Sequence, residues 1–218
     1  MDKSISTAKR KVYLAVAVLV TGLIAIITGA YLLDQNNPEK YEDPLIVRTI
    51  PNPDKSKVTK TIEMITDYPT YDSVEQMLKE KDLKFVGKVV ISDNGMTVVR
   101  KINKDSNDTM VDTEYKARVE TVIKGKNIKD NIVLSFVGGI DSSTRYVTEG
   151  VPQLKKDDVI IVFASLGGDG KYYPLSGSTA IAVQKSYGRF EMSKHTLNKG
   201  SFTFTEKSLE HSVKQLSK

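Results

Sequence analysis

Hydrophobic and polar positions follow three rhythms along this chain. The first is an unbroken uncharged run from Val12 to Leu33, behind Lys9-Arg10-Lys11 and ahead of Asp34. A helix of that length reaches ~33 Å and matches a hydrocarbon core of ~30 Å, so residues 12–33 are predicted to be a transmembrane signal-anchor helix. The second rhythm is the period of two expected of strands, and it fills the middle of the chain. The third is helical spacing, at Val74, Met77 and Leu78 behind the candidate caps Asp72 and Ser73, and again at Leu209, Val213 and Leu216.

The alternating stretches predict a mainly β domain. Phe85 to Ile91 reads as a strand, and Asp93-Asn94-Gly95 as a hairpin turn that returns the chain along Thr97 to Ile102. The clearest strand follows, with Val111, Thr113, Tyr115, Ala117, Val119, Thr121 and Ile123 on a core face and Asp112, Glu114, Lys116, Arg118 and Glu120 on a wet face. Further strands are predicted at 131–137, 145–148, 158–164, 172–175, 180–184 and 201–205, before a C-terminal helix from Glu206. Short strands with glycine-rich turns imply a small antiparallel barrel or sandwich with short flanking helices.

Between anchor and domain, residues 34–66 read as an extracytoplasmic spacer, with Pro38, Pro44, Pro51 and Pro53 and no sustained apolar period. Leu45-Ile46-Val47 inside it is either an edge strand or a partner contact. The predicted organisation is therefore 1–11 cytoplasmic N-terminus, 12–33 anchor, 34–66 spacer, 67–205 β-barrel-like domain and 206–218 C-terminal helix.

Charge fixes the orientation of the anchor. Lys3, Lys9, Arg10 and Lys11 precede the span, whereas Asp34, Glu39, Glu42 and Asp43 follow it, so the N-terminus is expected to be cytoplasmic and the remainder extracytoplasmic, on a single-pass cell-membrane protein. A cleaved signal peptide at Thr28-Gly29-Ala30 is the alternative; the run exceeds a typical h-region, and Tyr31-Leu32-Leu33 continue it past that point. The chain contains no cysteine, which excludes a lipoprotein anchor and disulfides. Its formal charge is +5, but residues 1–33 hold four of the 32 basic residues and one of the 27 acidic ones, leaving +2 beyond the span. That near balance gives no support for nucleic-acid binding, which needs a concentrated basic face.

The order of parts, a long strand, a hairpin, a second and third strand in meander, an interruption and two more strands, resembles an OB-type barrel. The segments YDSVEQMLKEKDLKFVGKVV, TEYKARVETVIKGKNIKDNIVLSF and VPQLKKDDVIIVFAS also resemble a recurring exported, membrane-anchored bacterial β-domain across about residues 68–185. That resemblance implies the architecture alone: its motifs are structural and bring no activity with them.

Few residues suggest chemistry. Gly138-Gly139-Ile140-Asp141-Ser142-Ser143 is similar to the pyrophosphate loop of the N-type ATP pyrophosphatases, which must follow a strand and open a helix. Val137 replaces the loop's first serine, and Thr144-Arg145-Tyr146-Val147 favours a strand over a helix, so a glycine-rich connection is expected instead. His195 and His211 are not spaced as a metal pair, and Met110 and Lys116 break a calcium-loop pattern around Asp105 and Asp108. No Gly-x-Ser-x-Gly elbow occurs. The expectation is a non-enzymatic protein without catalytic, metal or cofactor residues.

Arg145, Tyr146, Tyr172 and Tyr173 are the candidate partner-binding residues. Arg and Tyr offer large contact area with a polar end, and these four border glycine-rich loops. The predicted function is a membrane-tethered binding or accessory module of the bacterial cell envelope, immunity-like or inhibitory in kind. Its partners are the lipid bilayer through residues 12–33 and an envelope protein or polymer. A structural subunit of a membrane complex, or an enzyme with an unrecognised site, are the alternatives.

Overall fold

The computed structural model describes residues 46–64, 68–105, 107–193, 196–197 and 203–216. The anchor predicted at 12–33 lies outside them. Among the described residues, no helix is long and apolar enough to cross a membrane.

The fold is mainly β and is built around a closed five-stranded barrel compatible with an OB-like one. Thirteen strands are described: β1 (Ile46–Pro51), β2 (Lys60–Met64), β3 (Phe85–Ile91), β4 (Met96–Lys101), β5 (Thr109–Lys124), β6 (Asn131–Val137), β7 (Gly139–Asp141), β8 (Thr144–Thr148), β9 (Val159–Leu166), β10 (Tyr172–Pro174), β11 (Ile181–Ser186), β12 (Arg189–Met192) and β13 (Thr203–Thr205). Closure runs from β3 to β5, β6, β10, β9 and back to β3. Most ladders are antiparallel; β10 with β6 and β2 with β8 are parallel. A second sheet, in the order β2-β8-β7, has its own ladder, separate from that of the ten-stranded one.

The predicted hairpin at Asp93-Asn94-Gly95 is a kink. Strands β3 and β4 both run antiparallel to β5, with Ile91 opposite Ala117 and Met96 opposite Glu114, so they form one long strand carrying a bulge. The Asp93 carboxylate explains why the chain does not reverse: its Oδ1 accepts from Gly95 N (3.1 Å) and from Lys116 N (3.2 Å), which holds the bend against β5. Gly95 takes a φ of +83° there. The true reversal lies between β4 and β5, where Ile102 N donates to Asp108 O.

Two strands also fall within the stretch read as spacer. β1 pairs with β4, making Ile46 and Val47 part of an edge strand, and β2 pairs with β8.

Two cores lie on opposite faces of β9. Ile160, Val162 and Ala164 point into the barrel with Phe85, Val89, Leu134 and Phe136. Ile161 and Phe163 pack outward against Met77 and Leu78 of helix α1 (Val74–Leu78), against Phe190, and against Leu209 of helix α2 (Glu206–Leu216). Ser73 caps α1 by accepting from Gln76 N, and Lys124 Nζ closes its other end by donating to Leu78 O at 2.6 Å. Glu206, in the first turn of α2, pairs with Lys88 at 2.9 Å and ties that helix to the barrel.

Candidate functional site: a cleft beside the barrel

The glycine pair after β6 sets up the site. Gly138 N donates to Val111 O, Thr113 Oγ1 donates to Gly138 O at 2.8 Å, and Thr97 Oγ1 accepts from Ile140 N. These bonds lay β7 tightly across β4 and β5. A Cβ on Gly138 would stand 2.8 Å from the Tyr146 carbonyl oxygen, at a φ of +104°, so only glycine fits there. The chain then turns at Ser142 and returns as β8, so the segment Gly138–Ser143 joins strands and opens no helix. Arg48 of β1 holds Asp141 in an ion pair that fastens the hairpin to the larger sheet.

A cleft with a cavity volume of about 100 Å³ opens between this hairpin and the barrel. Thr97, Thr113, Tyr115 and Phe136 come from the barrel, Arg145 to Thr148 from β8, Val151 to Leu154 from the following loop, and Lys55 and Pro53 from the segment between β1 and β2. Tyr115 and Phe136 pack edge to face with ring centroids 5.6 Å apart. Desolvation pushes the Tyr115 phenol above its ordinary pKa, which keeps it neutral.

The candidate residues separate. Arg145 and Tyr146 both line the cleft. Tyr172 is only 7% exposed and packs on Phe85, ring centroids 5.3 Å apart, so it belongs to the barrel core and offers no contact surface. Tyr173 donates its hydroxyl to Asp169 at 2.8 Å within a separate group of charges.

That group is the largest feature the alternating pattern did not reveal. Asp112 and Glu114, expected on the wet face of β5, are buried with Arg100. Arg100 lies 3.0 Å from Asp112 and 2.6 Å from Glu114, while Lys171 lies 2.7 Å from Glu114 and 3.5 Å from Asp169. The loop between β9 and β10 covers them, which alternation within β5 cannot foresee. Desolvation pushes the Asp112 carboxyl up to about 6, against the pull of the Arg100 guanidinium. Asp169 is held below its usual range because the Tyr173 hydroxyl and Lys171 outweigh its burial.

In comparisons with known proteins, no protein-family model, curated protein or solved structure matches this chain. Among the described residues, no group of three His, Cys, Asp or Glu side chains is placed to hold a metal ion. Thr97, Thr113 and Thr148 also belong to the site, and their signal in the sequence is the Gly138-Gly139 pair directly after a strand, which marks a close backbone approach.

Proposed function

We propose that this chain is a membrane-tethered, extracytoplasmic binding module of a bacterial cell envelope, non-catalytic and accessory, immunity-like or inhibitory in kind, with the cleft between barrel and β7–β8 hairpin as its contact site. The tether rests on the apolar run at 12–33 and its charge asymmetry. The binding role rests chiefly on one observation: a cleft whose lining residues include the aromatics Tyr115, Phe136 and Tyr146 together with Arg145. Concave sites with apolar walls and a few polar groups are where ligands and partner side chains bind, and Tyr and Arg contribute disproportionately to such contacts. The residues around it serve packing and backbone hydrogen bonding, which fits recognition better than bond making.

The test is in-cell photocrosslinking of the full-length protein, with a photoreactive residue at position 146 and a control at Tyr187, a fully exposed residue between β11 and β12. A specific envelope component captured at 146 and not at 187 is the expected result. Identical capture at both positions, or none at 146 from a folded protein, would overturn the assignment of the cleft.

A further inference from the structure

We infer that the cleft takes an acidic saccharide, a sugar bearing a carboxylate or phosphate, with Lys55 and Arg145 receiving the anionic group; this rests on the cleft being the binding site. Charge is the first ground. Lys55 and Arg145 both line the cleft, no Asp or Glu does, and neither cation makes an ion pair among the described residues. Asp141, on the same hairpin as Arg145, is already engaged by Arg48. The buried Arg100 and the half-buried Lys171 and Lys88 are, by contrast, matched: the first two by Asp112, Glu114 and Asp169, and Lys88 by Glu120 and Glu206. Two unmatched cations on the lining of one concavity favour an anion there.

The remaining lining selects a hydroxyl-rich body over a purely apolar one. Tyr146 offers a ring on which the apolar face of a sugar can lie, and Gln153 offers amide donors and acceptors for its hydroxyls. Thr148, 6% exposed and part of the same wall, has a hydroxyl with no hydrogen-bond partner among the described residues. A buried hydroxyl in that state is costly, and a ligand oxygen or a bridging water reaching the wall would satisfy it. An acidic peptide would satisfy the cations too, but it would bring backbone amides better suited to a free strand edge than to this mixed wall.

Calorimetry on the full-length protein in lipid nanodiscs tests the inference, with trigalacturonate, maltotriose 6-phosphate, neutral maltotriose and triglutamate as probes. One or both acidic sugars are expected to bind at least about tenfold more tightly than neutral maltotriose, and the two acidic arms separate carboxylate from phosphate recognition. Lys55→Gln and Arg145→Gln should each weaken acidic-sugar binding ~3- to 10-fold, and salt should weaken it further. Unchanged circular dichroism melts show that these variants remain folded. Equal binding of the neutral sugar, tighter binding of triglutamate, or indifference to both substitutions would overturn it. If no acidic sugar binds while position 146 still captures a component, the saccharide inference fails and the binding-module reading stands; if capture fails as well, both fall.

Discussion

Asp112 is the residue whose energetics depart most from its place in the sequence. Three carboxylates, Asp112, Glu114 and Asp169, share two cations, Arg100 and Lys171, in a largely dry region beside β5. Burial raises the Asp112 carboxyl from 3.8 to about 6, so the folded protein keeps a proton there that the unfolded chain releases near pH 4. Stability contributed by this proton is complete below pH 4 and is lost as pH rises through 6, by an amount on the order of 2–3 kcal/mol. Other carboxyl shifts have the opposite sign and act lower: Asp169, Glu206 and Asp54 are all held below their ordinary values, so their contributions are gained as pH rises and are complete by about pH 5.5. Urea unfolding between pH 4.5 and 7 should therefore show a declining midpoint in the native protein and a flatter profile in Asp112→Asn. A native midpoint that rises across that window would show that Asp112 is ionised throughout.

At the scale of elements, the β7–β8 hairpin depends on how closely it can lie on the barrel. Gly138 permits that approach, and Thr97 and Thr113 hold it with side-chain bonds to the β7 backbone. Gly138→Ala forces a Cβ against the Tyr146 carbonyl oxygen at a positive φ, so β8 must shift; the cost should be ~1–3 kcal/mol. Loss of crosslinking from position 146 should accompany it, while the barrel's far-ultraviolet circular dichroism is retained. Full capture at unchanged stability would mean that the hairpin can relax without altering the cleft. The Ser92–Gly95 kink belongs to this scale as well. Asp93-Asn94-Gly95 carries the local signature of a hairpin, yet the bonds from Gly95 and Lys116 to Asp93 turn it into a bend in a continuing strand. Turn propensity specifies that the chain bends, and the partner strand decides how far.

Across the molecule, barrel closure is thin at one seam. β10 meets β6 through Tyr172 opposite Leu134, while the Tyr172 ring fills the interior against Phe85. Tyr172→Ala should cost ~3–5 kcal/mol and speed amide exchange in β6 and β10 before the rest of the barrel; exchange rising uniformly would place the seam elsewhere. The mainly β class, the capped α1 and the amphipathic α2 are legible along the chain, because 2- and 3.6-residue periods are local consequences of backbone geometry. So is β6 at 131–137, where the apolar run and flanking turn residues coincide. Packing between distant segments makes β3 and β4 one bent strand, puts Tyr172 in the core, buries Asp112 and Glu114, and brings Arg145, Tyr146 and Lys55 to the lining of one cleft. Each of these depends on which distant segment lies against a strand face, and a period read along one strand reports its two faces without saying what covers them.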